Sequence, residues 1–295
     1  AKAKLDDGLI LRLYMDAMYK GVYPQDVIEH LGSDSPQVQT GDLETIGQGN
    51  DFLGVNYYTR NFSSSGNPWD VASTGNEVTD MGWEVYPQGL TELLCRLHTD
   101  YLDVLMLHRP DPLLDAAEVA HTVDALRREG KILDFGVSNF DLEDMKDAAR
   151  LDKGRNASNQ VLYCLSRRGP EFDLLPWMRK RGVPLMAYSP LDQGGLLRKA
   201  PLRKLADGIG CTPAQLAIAW LLAQPGVVTI PKSSSRERVK ENLGALDVKL
   251  TPQILADLDR AFRLQCAVTK ELDVLTALGT VADVVRLDAQ RSLPS

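Results

Sequence analysis

Short, almost unbroken apolar runs are the feature that most constrains the fold of this chain. Each run is six to nine residues long, which suits a strand buried on both faces of a parallel sheet. The six runs are DFLGVNYYT (51–59), LDVLMLH (102–108), ILDFGVSN (132–139), NQVLYCL (159–165), VPLMAYS (183–189) and VVTIPK (227–232). They predict six strands of one parallel sheet.

Helical patterns lie between these runs. Apolar residues recur at helical spacing in three places, and Thr-Pro pairs that suit helix starts occur in two more. The three stripes are Leu90, Leu93, Leu94 and Leu97; Val119, Val123 and Leu126; and Val239, Leu243 and Leu246. The helix starts are Thr212-Pro213-Ala214-Gln215 and Thr251-Pro252.

Strands that alternate with helices form repeated βα units. No Gly-x-Gly-x-x-Gly motif follows any of the runs, which disfavours a Rossmann nucleotide site. The pattern therefore predicts an α/β fold of the (β/α) TIM-barrel type. In such a barrel the chemistry lies at the carboxyl ends of the strands.

Composition excludes several function classes. The formal net charge of −7 argues against a broad nucleic-acid surface. No apolar run approaches the roughly 20 residues that span a bilayer, and no signal-peptide pattern is present. The four cysteines lack metal-ligand spacing, which predicts reduced core thiols and no metal site. We expect a soluble, cytoplasmic protein.

Residues from about 101 to 262 resemble the second half of the aldo-keto reductase barrel. The stretches that carry the resemblance are TDYLDVLMLHRPD, GKILDFGVSNF, NQVLYCLSRRGPEFDLLPWMRKRGVPLMAYSPL, TPAQLAIAWLLAQPGVVTIPKSSSRERVKEN and LTPQILADLD. They occur in the order that the family has.

Residues from about 8 to 100 are similar instead to family 1 glycoside hydrolases, the β-glucosidases, which are also (β/α)₈ barrels. The matching stretches are DDGLILRLYMDAMYKGVYP, NDFLGVNYYTR and TDMGWEVYPQGLTELLCRLHTDY. The chain thus resembles a chimera of two barrel fragments, either an incomplete barrel or one assembled from both pieces. The predicted parts are 1–100, 101–262 and a helical tail at 263–295, packed as one barrel domain.

The glycosidase-like part lacks the catalytic carboxylate motifs of its family. A retaining glycosidase needs two carboxylates about 5 Å apart. The family carries them in Asn-Glu-Pro and Thr-Glu-Asn-Gly motifs, and neither occurs here. Glycoside hydrolysis is therefore the least favoured function.

The reductase-like part keeps one member of its catalytic tetrad. By resemblance His108 is the family's histidine, whereas the Asp, Tyr and Lys belong to strands that this chain lacks. In the family the tyrosine protonates the carbonyl oxygen of an aldehyde or ketone, and the lysine lowers its pKa. The resemblance thus implies weak or lost carbonyl reduction.

The cofactor site of that family lies mostly in the retained half, so the resemblance implies NADP(H) binding. Amides and hydroxyls would hold the carboxamide, an aromatic ring would stack on the nicotinamide, and cations near a helix start would bind a 2′-phosphate. The residues implied are Ser138, Asn139, Gln160, Tyr188, Ser189, Leu191, Lys232, Ser233, Arg238, Glu241 and Asn242.

A substitute catalytic site is a further hypothesis. If the run at 51–59 pairs with the strand before His108, then Tyr57 or Tyr58 and Arg60 would emerge near that histidine. A tyrosine beside a fixed cation has a lowered pKa, which favours proton transfer.

A non-catalytic barrel scaffold is the competing hypothesis, and folding alone would then be the property of the chain. The number of strands is open as well. Six strands are fewer than the usual eight of this barrel, so we expect further strands from the first hundred residues or the tail. Otherwise two copies would pair through open sheet edges as a homo-oligomer.

Overall fold

The chain divides into two compact units, residues 1–100 and residues 101–295. The computed structural model describes residues 2–49, 53–57, 75–78, 84–96, 99–110 and 115–263. The packing of all parts as one barrel domain stays a prediction, and the predicted tail helix lies outside the described residues.

The first unit is helical where it is described. Its α-helices are α1 (Lys2–Asp7), α2 (Leu13–Lys20), α3 (Gln25–Leu31), α4 (Asp42–Ile46) and α5 (Gln88–Arg96), and a π-helical turn, Gly8–Arg12, joins α1 to α2. The helix predicted from the leucine stripe is confirmed as α5, although Leu97 lies outside the described residues. The guanidinium of Arg12 bonds both carboxylate oxygens of Asp26, at 3.0 and 2.8 Å, and ties the π-turn to α3.

The strand predicted at 51–59 is wrong over its described part. Residues 53–57 have no strand conformation, and the side chains of Leu53 and Val55 are 38% and 45% exposed. An apolar run becomes a doubly buried strand only when it gains neighbours on both faces, and these side chains instead contact solvent.

The described part of the second unit contains five parallel strands, which lie side by side in the order of the chain. The strands are β1 (Leu102–Leu107), β2 (Ile132–Ser138), β3 (Asn156–Leu162), β4 (Leu185–Tyr188) and β5 (Val227–Thr229), which confirms the other five predicted runs. The helices are α6 (Ala116–Arg128), α7 (Leu142–Leu151), α8 (Leu174–Arg181), α9 (Ala200–Ile209), α10 (Pro213–Leu222), α11 (Arg236–Leu243) and α12 (Pro252–Ala261).

One face of this sheet forms the main apolar core with the helices. Phe135 and Val137 of β2, Leu185 of β4 and Leu216 and Trp220 of α10 are all buried in it. The predicted start of α10 is confirmed, since Thr212 and Gln215 exchange side chain–backbone hydrogen bonds at 3.2 and 3.0 Å. This capping box satisfies two backbone N–H groups that a helix start leaves unpaired.

Of the stripe at 239–246, Val239 and Leu243 lie in the predicted helix α11, and Leu246 lies in the 3₁₀ turn that follows it. The stripe does not form a buried face. Val239, Leu243 and Leu246 are 53%, 65% and 68% exposed. Helical spacing shows that side chains share a face, but it does not supply a surface to cover that face.

A largely buried arginine links the loop after β3 to α12. The guanidinium of Arg168 bonds both carboxylate oxygens of Glu171 at 2.7 Å, Asp259 of α12 at 2.8 Å and the carbonyl of Phe262 at 2.9 Å. It also lies 5.1 Å from the ring centre of Trp220. All of these hydrogen bonds are charge-assisted, because the guanidinium donates them, and such bonds are stronger than those between neutral groups.

The described part of the sheet is open, with β1 and β5 at its edges. Val104 of β1 and Val228 of β5 are 43% and 49% exposed. Whether further strands or a second copy cover these edges stays a prediction.

No single described helix is long and apolar enough to cross a membrane; only α9 and α10 taken together pass that test, and they meet at 87°. Three described cysteines are free thiols. Cys164 is buried and Cys211 partly so, but the prediction of a core thiol is wrong for the exposed Cys95. Cys266 lies outside the described residues.

Candidate functional site

Polar side chains meet at the carboxyl ends of strands β2 and β3. Ser138, the last residue of β2, lies opposite Gln160 of β3. Its hydroxyl donates to the carbonyl of Gln160 at 2.8 Å, and the backbone N–H of Asn139 donates to the same carbonyl at 2.9 Å. Parallel register thus places three of the predicted cofactor residues side by side.

Asn139 joins four elements at this edge. Its side-chain NH2 donates to the carbonyl of His108, after β1, at 3.1 Å and to the hydroxyl of Ser138 at 3.0 Å. Its side-chain oxygen accepts from the hydroxyl of Tyr188, at the end of β4, at 2.9 Å. The backbone φ of Asn139 is +60°, a left-handed conformation that is costly for most residues and that asparagine tolerates best.

The two ionisable rings at this edge have shifted pKa values. Loss of surrounding water, and secondly the charge of Arg109, lower the pKa of His108, even though that residue lies at the exposed rim of the sheet. The lowered pKa favours the uncharged imidazole at neutral pH. Burial raises the pKa of Tyr188, and Arg109 opposes that shift. The tyrosine therefore stays a neutral hydrogen-bond donor.

The loop after β4 contains Ser189 and Leu191, both assigned to the diphosphate by resemblance. Ser189, Asp192 and Gln193 all have positive φ, between +49° and +51°. Asp192 is held by the hydroxyl of Ser166, which donates to its carboxylate at 3.0 Å. Strained backbone of this kind clusters at functional sites. Sequence reasoning missed Ser166 and Asp192, although the glycine pair after Gln193 marks an irregular loop.

A second group of predicted residues lies before and along α11. Lys232 and Arg238 are exposed, and neither forms an ion pair within the described ranges. The hydroxyl of Ser233 accepts the N–H of Ser235, whose own hydroxyl accepts the N–H of Arg238 at 3.4 Å. Glu241 and Asn242 lie half-buried at the other end of α11. This group has no hydrogen bond to the Ser138–Asn139 array.

The residues of the substitute catalytic site are only partly described. Tyr57 donates its hydroxyl hydrogen to the carbonyl of Tyr86, at 2.5 Å, within the first unit. Tyr58 and Arg60 lie outside the described residues. Their approach to His108 stays a prediction.

Metal chemistry has no evident ligand set here. Across the part of the chain that the structure describes, no three or more His, Cys, Asp or Glu side chains form a group that could hold a metal ion.

Five parallel strands with intervening helices and a polar array at their carboxyl ends define an α/β protein of the TIM-barrel class. The chain belongs to the aldo/keto reductase family, whose model matches residues 73–263. Residues 2–108 also match the model of glycosyl hydrolase family 1. The resemblance to two families is therefore confirmed, and the two matches overlap over 73–108.

Two of the similar curated proteins are named as reductases of small carbonyl compounds. A methylglyoxal reductase from Escherichia coli is 41% identical over 175 residues, which cover 57% of this chain and 61% of the relative. A glyoxal reductase from Bacillus subtilis is 32% identical over 182 residues, or 61% of this chain and 64% of that protein. The chain thus spans less than two thirds of the length of these relatives.

Solved structures show the same partial match. An aldo/keto reductase from Klebsiella pneumoniae, crystallised with NADP and acetate, is 42% identical with a TM-score of 0.57, covering 61% of this chain and 65% of that one. Another structure from that organism, with NADPH, is 43% identical with a TM-score of 0.55, covering 59% and 63%.

Proposed function

We propose that this chain binds NADP(H) at the carboxyl ends of β2–β5 and reduces small carbonyl compounds weakly or not at all. The observation that carries the proposal is the hydrogen-bonded array of Ser138, Asn139, Gln160 and Tyr188. The array includes Asn139, which has a costly left-handed backbone, and the buried Ser138. Its hydrogen bonds hold these side chains at the carboxyl ends of the strands, where the chemistry of such barrels lies.

The residues of the array fit a nicotinamide. A carboxamide needs one acceptor and one donor, and the amide of Gln160 offers both, since its NH2 contacts only the weak acceptor sulfur of Met186, at 2.9 Å. Ser138 and Asn139 already donate their side-chain hydrogens to neighbouring protein groups. They would therefore act by positioning the other residues of the array. Tyr188 is fixed by its hydroxyl and would present a ring face. Bound NADPH would supply the hydride.

Lys232 and Arg238 fit a phosphate. Both cations lie at the amino-terminal end of α11 without carboxylate partners among the described residues, and the helix dipole there favours an anion. Ser189 and Leu191 would contact the diphosphate, with Ser233, Glu241 and Asn242 around the phosphate and adenine ends. A preference for NADP(H) over NAD(H) follows.

Catalysis would rest on His108. An uncharged imidazole can hydrogen-bond a substrate carbonyl, but it does not replace the Asp, Tyr and Lys of the family's tetrad. The substrates would be small aldehydes or ketones, like the methylglyoxal and glyoxal of the relatives' names. Tyr57, Tyr58 and Arg60 are the proposed substitutes for the missing proton donor.

Cofactor titration tests the binding proposal. The change in NADPH fluorescence should saturate as protein is added. Arg238→Leu should weaken NADPH binding about tenfold while leaving NADH binding unchanged. The matched control is Arg236→Leu, an exposed arginine on the same helix, which should change neither. Equal affinity for both nucleotides would contradict the phosphate assignment. No saturable binding of either would favour the non-catalytic scaffold.

Turnover is tested separately with nitrobenzaldehyde and methylglyoxal. We expect slow NADPH oxidation that falls in His108→Ala, Tyr57→Phe or Tyr58→Phe. If the parent equals buffer, or if all three variants match the parent, the chain binds cofactor without a catalyst.

Among the described residues, no strand pairs with the outer edges of β1 and β5, and unpaired strand edges recruit other strands. We infer that copies of the chain pair through them. Light scattering that gives a monomer at all concentrations would overturn this.

A further inference from the structure

Residues 189–195, which we call the β4 loop, have a backbone that their own side chains disfavour. Ser189, Asp192 and Gln193 have φ values of +50°, +49° and +51°. This left-handed conformation is costly for residues other than glycine, and it persists only where the surrounding structure holds it. The β4 loop therefore depends on contacts that fix its shape.

Some of these contacts lie within the loop or below it. The N–H of Asp192 donates to the carbonyl of Ser189 at 2.9 Å, and the N–H of Gly195 donates to the carbonyl of Asp192 at 2.8 Å. The side chain of Leu191 packs against the main apolar core. These contacts shape the loop itself and anchor it at one point.

A further contact comes from a different loop. Ser166 lies in a tight turn after β3, in which the backbones of Cys164 and Arg167 exchange hydrogen bonds at 2.9 and 3.3 Å. The hydroxyl of Ser166 donates to the carboxylate of Asp192 at 3.0 Å. A hydrogen bond to a charged acceptor is stronger than one between neutral groups. It ties the closed turn directly to one of the left-handed residues.

The charge of Asp192 is partly offset at the same place. The Nε atom of Arg167 lies 3.9 Å from the other carboxylate oxygen of Asp192. The hydroxyl and the guanidinium thus engage both oxygens of this carboxylate. This matters in a loop assigned to an anionic diphosphate, because an unopposed carboxylate there would repel the ligand.

We propose that Ser166 is a positioning residue for the diphosphate of NADP(H). Its hydrogen bond to Asp192 holds the β4 loop in the left-handed conformation, so the loop is ordered before the cofactor arrives. Such preorganisation raises affinity, because less conformational freedom is lost on binding. The inference rests on the proposed cofactor site, in which Ser189 and Leu191 contact the diphosphate.

Ser166→Ala removes the hydroxyl and tests the proposal. NADPH and NADH share the diphosphate, so both should bind about tenfold more weakly. Adenosine 2′-phosphate has no diphosphate, so its affinity should stay within about twofold of that for the parent. Nucleotide fluorescence and ligand-observed NMR measure these affinities. The expected pattern differs from that of Arg238→Leu, which should weaken NADPH alone.

Two further variants separate positioning from general stability. Ser166→Thr keeps the hydroxyl, so it should restore both nucleotide affinities to within about twofold of the parent. Thr251→Ala removes a hydroxyl that accepts the N–H of Ile254 at 3.3 Å in the cap of α12. This control should lower the free energy of unfolding and leave both affinities unchanged.

Hydrogen exchange tests the loop without any nucleotide. The amides of Gly194 and Gly195 donate within the β4 loop at 2.9 and 2.8 Å. Their exchange should quicken in Ser166→Ala and stay unchanged in Thr251→Ala, because only the first variant releases the loop.

The outcomes separate this inference from the proposed function. If Ser166→Ala leaves the nucleotide affinities or the exchange of the β4 loop unchanged, the role of Ser166 is overturned and the cofactor site stands. A loss confined to NADPH, or an equal loss for all three ligands, would overturn that role as well. If the parent binds neither nucleotide, the proposed function fails and this inference fails with it.

Discussion

The two units bury very different amounts of apolar side chain. Among the described residues of the first unit, the buried apolar side chains are Ala17, Pro24 and Val27, and ion pairs around Arg12 tie its helices together. The second unit has a continuous core that includes Leu185 and Trp220. Apolar burial stabilises far more than exposed ion pairs do. The first unit therefore matches a family sequence pattern but has few buried apolar side chains among its described residues.

The largest expected effect is in the core of the second unit. Trp220 is 1% exposed, so Trp220→Ala should lower the free energy of unfolding by about 4 kcal/mol through lost burial and a cavity. Urea denaturation measures this. Leu222→Ala, at a 41% exposed position of the same helix, is the control and should cost well under half as much. Equal costs would contradict the difference between core and surface in this unit.

The next effect is expected at Arg168, whose side chain is 11% exposed. Arg168→Met should cost about 3 kcal/mol, because it leaves the largely buried carboxylate of Glu171 with the hydroxyl of Tyr163 but without a cation. The control is Arg260→Met, whose 63% exposed side chain pairs with Asp257. That pair should contribute less than about 1 kcal/mol. If the two variants melt alike, the network around Arg168 does not stabilise the second unit.

A smaller effect is expected in the first unit. Val27 is fully buried and packs closely against the π-turn. A Cβ atom at Gly8 would lie too close to the side chain of Val27. Val27→Ala should cost about 1–2 kcal/mol. Hydrogen exchange should quicken in 13–31 and stay unchanged in β2–β4. Val22→Ala, 53% exposed, is the control. Faster exchange in the sheet would show that the units are energetically coupled.

The smallest effect is a pH dependence confined to the first unit. The hydrogen bond from Arg12 lowers the pKa of Asp26 to about 2, against partial desolvation. Because this value lies below the ordinary 3.8, the stabilisation is complete above the ordinary value and is lost as pH falls through about 2. Carboxyl NMR titration of Arg12→Gln should show the Asp26 pKa rising. Lys4→Gln, which removes a partner at 3.6 Å, should raise it less.

Local pattern predicted the second unit well. Its five strands follow from apolar runs, and parallel register then brings Ser138, Gln160 and Tyr188 to one edge. The predictions that failed depend on residues far away in the sequence that would have to cover the predicted apolar face. Nothing near 51–59 indicates that Leu53 stays exposed, and nothing near 239 shows what would cover α11.

The candidate site divides in the same way. Its residue types follow from strand ends and from the family resemblance. The contact of Ser166 with Asp192 joins two loops 26 residues apart. Such a contact depends on the fold of both loops, so neither sequence indicates it alone.

The link from Arg168 also sets an order of events during folding. Arg168 and Asp259 are 91 residues apart, so their contact closes a long loop whose entropic cost precedes any gain. On a chain made from its amino terminus, β1–β4 emerge well before α12. We therefore expect the sheet to form first, with Glu171 already bound to Arg168, and the docking of α12 to be the late step that limits the rate of folding.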